Sequence, residues 1–546
     1  MSRTVGARAA TEHIDAEPTC GHSTRLVRAY VTAILERAKR PLPPRGFRVD
    51  WDDQPSKHLY YEDVPRLPLP AAQLPGAVPL GSVLEHLQRG GTPSTTTLGD
   101  LVNLLWCNGI IARRMEPNWN DDSTRKLYPE FATWARAYPS GGGMYPCELY
   151  LVSNSADGLP SGVYHYDTAH HSLAQLSRED RTRRLSESVG VDSSAFLVAT
   201  IRFWKNAFKY NSFCYHVVGQ DLGCLLATWR LVAAASRRTY RPVTVFDDRR
   251  VAHIIDVDPM TDGPFLVLPL SRSAPTGRRD ASGGLLGQHA VRERSKRVRT
   301  FPLIEHVQAA CIADPPMLPD DQCDVTSFPS NPAGERKVLP QPDLEAAVVA
   351  SVIRRRSSFG LLTAATELPL RSLAATLELA DKIVRSPIDD LDHGSAVRLR
   401  VLAGKVEGLE RRSYLYEPGS GALVAGPEID FHALQQLYPL SNYSIDQTSA
   451  IVTVSVNLNA YLDRYGPRGY RRASIDVGQA CQGVCTAAAA ERIGAGAVLG
   501  VDTTAVDGLA GVALPEQTLL CIMIGTERPV SADYMQSIRT PGTVTA

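Results

Sequence analysis

The two halves of this chain repeat one pattern of residues, and that repeat limits what the chain can fold into. Three blocks recur in the same order, 163–167 as 413–417, 209–223 as 464–478, and 242–247 as 497–502. The interval between the last two blocks is also the same in both halves. Self-similarity of this kind predicts two copies of one structural unit. Because each copy combines short strands with an Ala-rich helix, we expect an α+β unit.

The rest of the chain is arranged around this repeat. At 546 residues it exceeds the size of a single hydrophobic core, so at least two domains are expected. We predict a helical and extended arm at 1–95, a first domain at 96–272, a linker of low order at 273–340 and a second domain at 341–546. The linker carries a basic run at 292–299, which we interpret as a solvated face rather than a binding patch.

Composition excludes several function classes. The chain has 58 basic and 58 acidic residues, so its overall charge gives no handle for nucleic acid or an anionic membrane. Ten cysteines without a CxxC motif do not resemble a disulfide framework or a metal site. Cys481 and Cys485 share one helical face, where we expect them to pack. With no signal segment and no apolar run long enough for a bilayer, the chain is predicted to be cytoplasmic.

A glycine-rich loop, Pro139-Ser140-Gly141-Gly142-Gly143, separates a helical pattern from a strand in the first copy. Three glycines let the backbone approach a planar ligand without obstruction by Cβ atoms. Ser140 can donate or accept a hydrogen bond at the edge of that ligand. A Pro-Ser-Gly turn is by itself typical of many loops, and it is the position between a helix and a buried strand that favours a binding role.

The stretch 136–150, Arg-Ala-Tyr-Pro-Ser-Gly-Gly-Gly-Met-Tyr-Pro-Cys-Glu-Leu-Tyr, closely resembles the signature of the SagB/ThcOx-type dehydrogenases. These proteins are the azoline-oxidising branch of the nitroreductase superfamily. Residues 50–68 also resemble the N-terminal arm of that family. The resemblance covers 48–272 well and the second copy more loosely. It implies an α+β fold of two tandem nitroreductase-like, FMN-dependent domains that form an intramolecular pseudo-dimer.

In that family FMN lies between two like subunits, which supply different parts of its site. The resemblance therefore implies one composite site, with the Pro-Ser loop from the first copy and an Arg-Arg-Ser segment and a flavin-facing glycine from the second. The implied FMN-binding residues are Pro139, Ser140, Gly141, Gly142, Arg355, Arg356, Ser357, Leu499, Gly500 and Arg539. Arg539 is included because Phe359 stands where the family usually has another basic residue. Taken alone, 354–356 is more typical of a solvated helix end than of a phosphate site.

Two like copies could form a second FMN site in which the copies exchange roles, and we call it the mirror-related site. The positions that would form it lack these features. The first copy has Arg89-Gly90-Gly91 in place of Arg-Arg-Ser and Val245 in place of the glycine, and the second copy has no Pro-Ser loop around Ser386 and Pro387. We therefore expect a second, decayed site that binds no flavin.

Lys209 and Tyr210 resemble the catalytic pair of azoline dehydrogenases. The second copy has Arg464-Tyr465 at the equivalent place, and arginine cannot readily serve as a base because it stays protonated. Lys-Tyr dipeptides are common and Lys205 makes the region basic, so the role depends on the resemblance. Which of the two residues would be the base stays open.

The resemblance implies oxidation of thiazoline or oxazoline rings in a ribosomally synthesised peptide to thiazole or oxazole. Its expected partners are the azoline-containing precursor peptide and a cyclodehydratase complex, with no nucleic acid and no membrane. Two alternatives remain open. One is an NAD(P)H-dependent flavin reductase of nitro or dehydroamino-acid groups. The other is a flavin-free scaffold that presents peptide to a cyclodehydratase.

Overall fold

The computed structural model describes residues 20–115, 133–276, 289–313, 323–329, 331–386, 397–440, 442–529 and 534–537. The helices are Cys20–Leu35 (α1), Leu80–Arg89 (α2), Leu98–Asn108 (α3), Thr182–Val189 (α4), Phe203–Tyr210 (α5), Cys214–Ala235 (α6), Asp248–Ile254 (α7), Pro302–Ala313 (α8), Val348–Arg354 (α9), Leu370–Arg385 (α10), Phe431–Gln436 (α11), Leu458–Tyr465 (α12), Gly469–Ala490 (α13) and Thr503–Ala510 (α14). The strands are Arg66–Pro68 (β1), Ala112–Met115 (β2), Thr133–Ala135 (β3), Cys147–Ser153 (β4), Gly162–Asp167 (β5), Ser172–Ser177 (β6), Ala195–Arg202 (β7), Asp262–Pro269 (β8), Arg336–Val338 (β9), Leu362–Thr363 (β10), Val397–Ala403 (β11), Arg412–Glu417 (β12), Ala422–Glu428 (β13), Ala450–Asn457 (β14), Gly494–Val498 (β15), Glu516–Glu527 (β16) and Tyr534–Ser537 (β17).

The sheet of the first half is covered on both faces. Its strands lie in the order β1-β6-β5-β4-β7-β8, antiparallel at every step. Along β4, Leu149 and Leu151 enter one buried cluster while Tyr150 and Val152 enter another. Because successive side chains of a strand point to opposite faces, both faces of this sheet pack against apolar groups.

The sheet of the second half repeats the arrangement of the first. Its order is β10-β16-β14-β11-β12-β13-β9, with β15 also paired to β16. The central order β13-β12-β11-β14-β16 matches β6-β5-β4-β7-β8, and in both halves a short helix and a long helix follow the same strand. The sequence prediction of two copies of one α+β unit is therefore confirmed. The third repeated block differs, since 494–498 forms β15 whereas the first half has only the bridge of Val243 to Val267.

The two long helices, α6 and α13, cross where equivalent glycines meet. A Cβ added to Gly223 would lie 2.1 Å from the Ile475 carbonyl oxygen, and one added to Gly478 would lie 2.1 Å from that of Gln220. Only glycine permits so close an approach of two helix backbones. This contact between repeat-equivalent residues supports the pseudo-dimer arrangement that the resemblance implies.

One helical stretch in the described residues, Phe203–Ala235, is long and apolar enough by length and composition to cross a membrane. The sequence prediction that no apolar run has this property was wrong in that respect. The whole apolar window is buried inside the fold, as the core helices of many proteins are.

Two segments predicted as extended or low in order contain helices. The proline-rich stretch 50–90, predicted as the extended part of the arm, includes α2, and the linker range 273–340 includes α8, of which Val307 and Cys311 are buried. Apolar side chains of α8 enter the main buried cluster together with those of α1. The proline-rich and charged composition around these helices concealed them, because each is ordered by contacts to distant parts of the chain.

A third, small sheet joins the two ends of the fold. Its order is β17-β2-β3, so a strand near the C-terminus pairs with strands of the first half. Helix α1 likewise contacts both halves, since Tyr30 donates to the Ser212 carbonyl at 3.0 Å while Arg28 pairs with Asp463 at 2.5 Å. The halves are thus connected by exchanged terminal segments as well as by the crossing helices.

Candidate functional site

One buried carboxylate holds the glycine-rich loop. Ser140 Oγ donates to Asp221 Oδ2 at 2.6 Å, and the N–H of Gly141 donates to Oδ1 at 2.9 Å. The N–H of Tyr145 donates in turn to Ser140 Oγ at 2.9 Å. Asp221 lies on α6 and is 5% exposed. The loop is therefore shaped by the protein itself.

Asp221 is a site residue that sequence reasoning noted only as part of the repeat. Its counterpart Asp476 also accepts hydrogen bonds, from Tyr461 Oη at 2.8 Å and from Arg472 Nε at 3.2 Å. A carboxylate kept at the same position of both long helices was the available signal. Burial raises the pKa of Asp221 to about 7, although hydrogen bonds from Ser140 and neighbouring groups act in the opposite direction.

The glycine-rich loop meets the predicted catalytic pair. Gly142 has φ of +63°, and a Cβ at this position would lie 3.1 Å from both Lys209 Cδ and Tyr210 Oη. A side chain at Gly142 would thus be strained by its backbone and crowded by the pair. Two motifs that lie far apart in the sequence are therefore neighbours in the fold.

The helix that carries this pair is anchored by a buried ion pair one turn earlier. Lys205 Nζ pairs with Glu148 and donates to the Lys57 carbonyl at 2.9 Å. Nε2 of His165 lies 3.0 Å from the other Glu148 oxygen. Burial disfavours the charged carboxylate, but Lys205 and His165 outweigh it and hold the pKa of Glu148 below its ordinary range. Because Glu148 lies on β4, directly after the loop, this pair fixes α5 relative to the loop.

The extended arm reaches the same place. The Lys209 ammonium lies 5.9 Å from the centroid of the Trp51 ring and 5.3 Å from that of Tyr210. Trp51 packs edge-on against Phe208 with ring centroids 5.5 Å apart. The sequence segment that resembles the family's N-terminal arm therefore borders Lys209 with an aromatic wall.

The Arg-Arg-Ser segment of the second half presents its side chains in different ways. Arg356 Nη2 pairs with Glu527 at 2.8 Å, a partner that sequence reasoning missed. Arg355 is only 4% exposed, and its Nε has no hydrogen-bond partner among the described residues. Ser357 is half-buried, and the next residue, Ser358, donates to Glu527. Arg355 is thus the buried cation of this segment that lacks a partner for its Nε.

The loop at Leu499 and Gly500 is clamped by an arginine from the arm. Arg37 Nη2 donates to the carbonyls of Leu499 at 2.5 Å and Val501 at 2.7 Å. Its guanidinium also lies 4.7 Å from the centroid of the Phe213 ring, which neighbours Tyr210. Arg37 and Leu499 are 462 residues apart, so the sequence offered no local signal for this contact.

Further contacts connect the predicted residues of the two halves. Arg114 on β2 donates from Nη1 to the Arg355 carbonyl at 2.7 Å. Gln482 on α13 donates to the Ala137 carbonyl, just before the loop, at 3.2 Å. The loop and catalytic pair of the first half therefore face a region that the second half also builds. Arg539, the remaining predicted residue, lies outside the described residues.

This arrangement fits a phosphate-bearing planar ligand. A phosphate would give the buried Arg355 guanidinium the charge-assisted hydrogen bonds that its Nε lacks. The glycine-rich loop offers backbone without Cβ atoms next to Lys209 and Tyr210. Among the described residues, no group of three or more His, Cys, Asp or Glu side chains could hold a metal ion. The residues present therefore fit FMN.

The mirror-related region of the first half is filled by side chains of the second. Asp248 follows Val245 by three residues. Its carboxylate pairs with Nη1 of Arg471 at 2.7 Å. Both groups are almost fully buried. Arg464, the counterpart of Lys209, is also buried and donates to a backbone carbonyl at 3.0 Å. This buried ion pair occupies the region beside Val245 with protein side chains.

Comparison with known proteins links the second half to a family. A model of the Nitroreductase family matches residues 378–526. Trifolitoxin-processing protein TfxB of Rhizobium leguminosarum bv. trifolii is 27% identical over 244 residues, which cover 40% of this chain and 63% of that protein. Microcin B17-processing protein McbC of Escherichia coli is 31% identical over 150 residues, which cover 26% of this chain and 55% of that protein. The chain thus spans less than two thirds of each relative's length.

A solved structure matches almost the whole fold. The crystal structure of a protein from Anabaena variabilis, described as a nitroreductase, superposes with a TM-score of 0.67 at 20% identity. The match covers 92% of this chain and 99% of that one. At this identity the likeness shows the fold alone. It confirms the nitroreductase-like α+β fold over both halves. The similarity to TfxB and McbC agrees with the resemblance of the chain to the SagB/ThcOx-type branch of the superfamily.

Proposed function

We propose that this chain, a protein of the nitroreductase superfamily, oxidises azoline rings in a ribosomally synthesised peptide and uses FMN as its cofactor. The observation that carries the proposal is the meeting of the glycine-rich loop with Lys209 and Tyr210 in the first half. The buried Arg355 of the second half, whose Nε lacks a partner among the described residues, supports it. The two sequence relatives are processing proteins of trifolitoxin and microcin B17, which supports a peptide as substrate.

Each part of the chain has a distinct task in this proposal. Arg355 would hold the phosphate of FMN, and the backbone at Ser140 to Gly142 and at Gly500 would border the planar ring. FMN, when bound, supplies the acceptor for the hydride that leaves the azoline ring. The protein supplies orientation and proton transfer.

The proton transfer falls to Lys209 or Tyr210. The Cα proton of an azoline is acidified by its carbonyl and imine neighbours, so a positioned base can remove it as the hydride leaves the adjacent carbon. The ring thereby loses one proton and one hydride and becomes aromatic. The ion pair of Lys205 and Glu148 keeps α5, and with it both candidate bases, in place. The Trp51 ring beside Lys209 offers a face on which a flat heterocycle can stack.

A partner enzyme is also part of the proposal. An azoline ring arises by cyclodehydration of a cysteine or serine side chain onto the peptide backbone, so a cyclodehydratase must supply the substrate. We place this chain in a complex with such an enzyme, and we propose a cytoplasmic location for both.

The test is turnover of a synthetic peptide with a single thiazoline by the full-length protein. Turnover is measured by mass spectrometry as the loss of two hydrogen atoms from the peptide. We expect both Lys209→Ala and Tyr210→Phe to keep bound FMN. The variant that lacks the base should have a kcat about 100-fold or more below that of the wild type. Arg371→Ala, an exposed change on α10, is the control and should leave kcat unchanged. Full turnover by both Lys209→Ala and Tyr210→Phe would contradict the assignment. Rapid bleaching of the flavin by NADPH without peptide would favour a reductase instead.

A further inference from the structure

A strip of basic side chains lies along the arm near Lys209. It consists of Arg294, Lys296, Arg297 and Arg299, which are all exposed, and we call it the basic strip. Within the described part of the chain these four side chains make no ion pair. The whole protein has no net charge, so the strip is a local concentration of positive charge. Sequence alone favoured a solvated face for this run.

The backbone of the strip is held in place. The Asp53 carboxylate accepts the N–H of Lys296 at 2.5 Å and that of Arg297 at 3.2 Å. The N–H of Arg294 donates to Ser56 Oγ at 2.8 Å. The four basic side chains are exposed on this anchored backbone. The strip is thus a fixed row of charges rather than a loose linker.

Acidic groups beside the strip offset part of its charge. Glu293 accepts the N–H of Ser56 at 2.7 Å and lies 3.6 Å from the Arg202 guanidinium. Asp53 accepts two backbone N–H groups of the strip and keeps its negative charge beside it. Asp50 and Asp52 are exposed on the arm, and they offset only part of the charge.

The strip is connected directly to the wall of the candidate site. Trp204 Nε1 donates to Ser295 Oγ, in the middle of the strip, at 2.9 Å. The Trp204 ring packs on Phe208, which packs on Trp51, and Trp51 borders Lys209. A chain bound along the strip therefore has a short path to the proposed base.

We propose that the basic strip is a docking surface for an acidic segment of the peptide substrate. The inference rests on the proposed function, because it names a recognition feature of that peptide. Carboxylates along an extended peptide complement a row of exposed cations, and such pairs raise association rates and specificity in low salt. The strip would hold the peptide while its azoline ring reaches Lys209 beside Trp51.

The experiment compares two synthetic peptides that each carry one thiazoline, one with four glutamates next to it and one with four glutamines. Binding to the full-length protein is measured by fluorescence anisotropy, and turnover is measured separately. The test variant is Lys296→Glu/Arg297→Glu/Arg299→Glu. The control is Lys337→Glu/Arg371→Glu/Arg411→Glu, which reverses one exposed charge on β9 and two in the second domain.

For the wild type we expect about tenfold tighter binding of the glutamate peptide at low salt, declining as salt screens these exposed pairs. The test variant should lose this preference without losing FMN, and the control should keep it. Equal binding of the two peptides by the wild type, or equal loss in both triple variants, would overturn the inference. Tighter binding of a short single-stranded DNA than of the glutamate peptide would overturn it too. A glutamate preference without any turnover would support the docking surface and count against the proposed reaction.

Discussion

At the scale of single residues, Asp221 is the group in the candidate site on which burial and hydrogen bonding act in opposite directions. Its carboxylate is buried, yet it receives hydrogen bonds from Ser140 and Gly141 that hold the loop. Burial disfavours its charged form, and these hydrogen bonds favour it. The balance leaves a pKa of about 7, where small changes in pH alter the charge of the group that shapes the loop.

Asp221 should make stability depend on pH. Because its pKa is raised to about 7, the folded protein keeps a proton that the unfolded chain releases near pH 4. Its contribution to the free energy of unfolding should therefore fall as pH rises from about 4 to about 7, by a few kcal/mol, and stay level above that range. Chemical denaturation of the wild type and Asp221→Asn at several pH values measures this, with the decline absent from the variant. The same pH slope in both proteins would show that Asp221 does not titrate there.

The two neighbouring arginines should differ in their effect on FMN binding. Arg356 already pairs with Glu527, whereas Arg355 is buried with its Nε unpaired. A charge-assisted hydrogen bond contributes about 2 kcal/mol, so Arg355→Ala should weaken FMN binding roughly thirtyfold or more. We expect a smaller loss in Arg356→Ala and none in Arg371→Ala. Flavin fluorescence titration of the apoprotein checks this order, and a larger loss in Arg356→Ala would reverse the assignment.

At the scale of elements, the crossing of α6 and α13 should tolerate no side chain at its closest point. A Cβ at Gly223 would meet backbone at 2.1 Å, and backbone cannot move aside as a flexible side chain can. Gly223→Ala should therefore lower the free energy of unfolding by about 1–3 kcal/mol or more, the cost of overpacking. Gly508, within α14, has no atom within 4 Å of an added Cβ. Gly508→Ala should stabilise by up to about 1 kcal/mol, and thermal melts of both variants measure the contrast.

The sequence predicted the secondary-structure elements of the repeated unit better than it predicted the contacts between them. The repeated blocks predicted two copies of one unit, since local patterns of apolar residues determine which segments become strands and helices. The loop at 139–143 and the pair Lys209-Tyr210 were found through the resemblance, and the structure brings them together. Arg37 and Glu527 were missed, because their roles depend on contacts between segments 462 and 171 residues apart. Asp221 was predictable in part. The repeat indicated its position but not its hydrogen-bond partners, Ser140 and Gly141.

At the scale of the whole molecule, the duplication permits the halves to diverge. Two identical subunits related by symmetry must form two identical sites. In a tandem chain one copy can keep the loop and the lysine while the other keeps Arg355, for which we propose phosphate binding. The mirror-related region, relieved of binding, is occupied by the buried pair of Arg471 and Asp248. An asymmetric molecule with one working site is the expected product.

The number of flavins per chain tests this view of the molecule. If the site is composite and its mirror is filled, the full-length protein should bind one FMN per chain, measured as flavin absorbance against protein after saturation and gel filtration. Arg355→Ala should reduce that number toward zero at low FMN concentration, because no second site can take over. Val245→Gly restores the glycine on the mirror side, but it should add no flavin because Arg471 and Asp248 remain buried there. Two flavins per wild-type chain would contradict the decay of the mirror site. A second flavin in Val245→Gly would instead show that a single side chain, and not the buried ion pair, is what closes it.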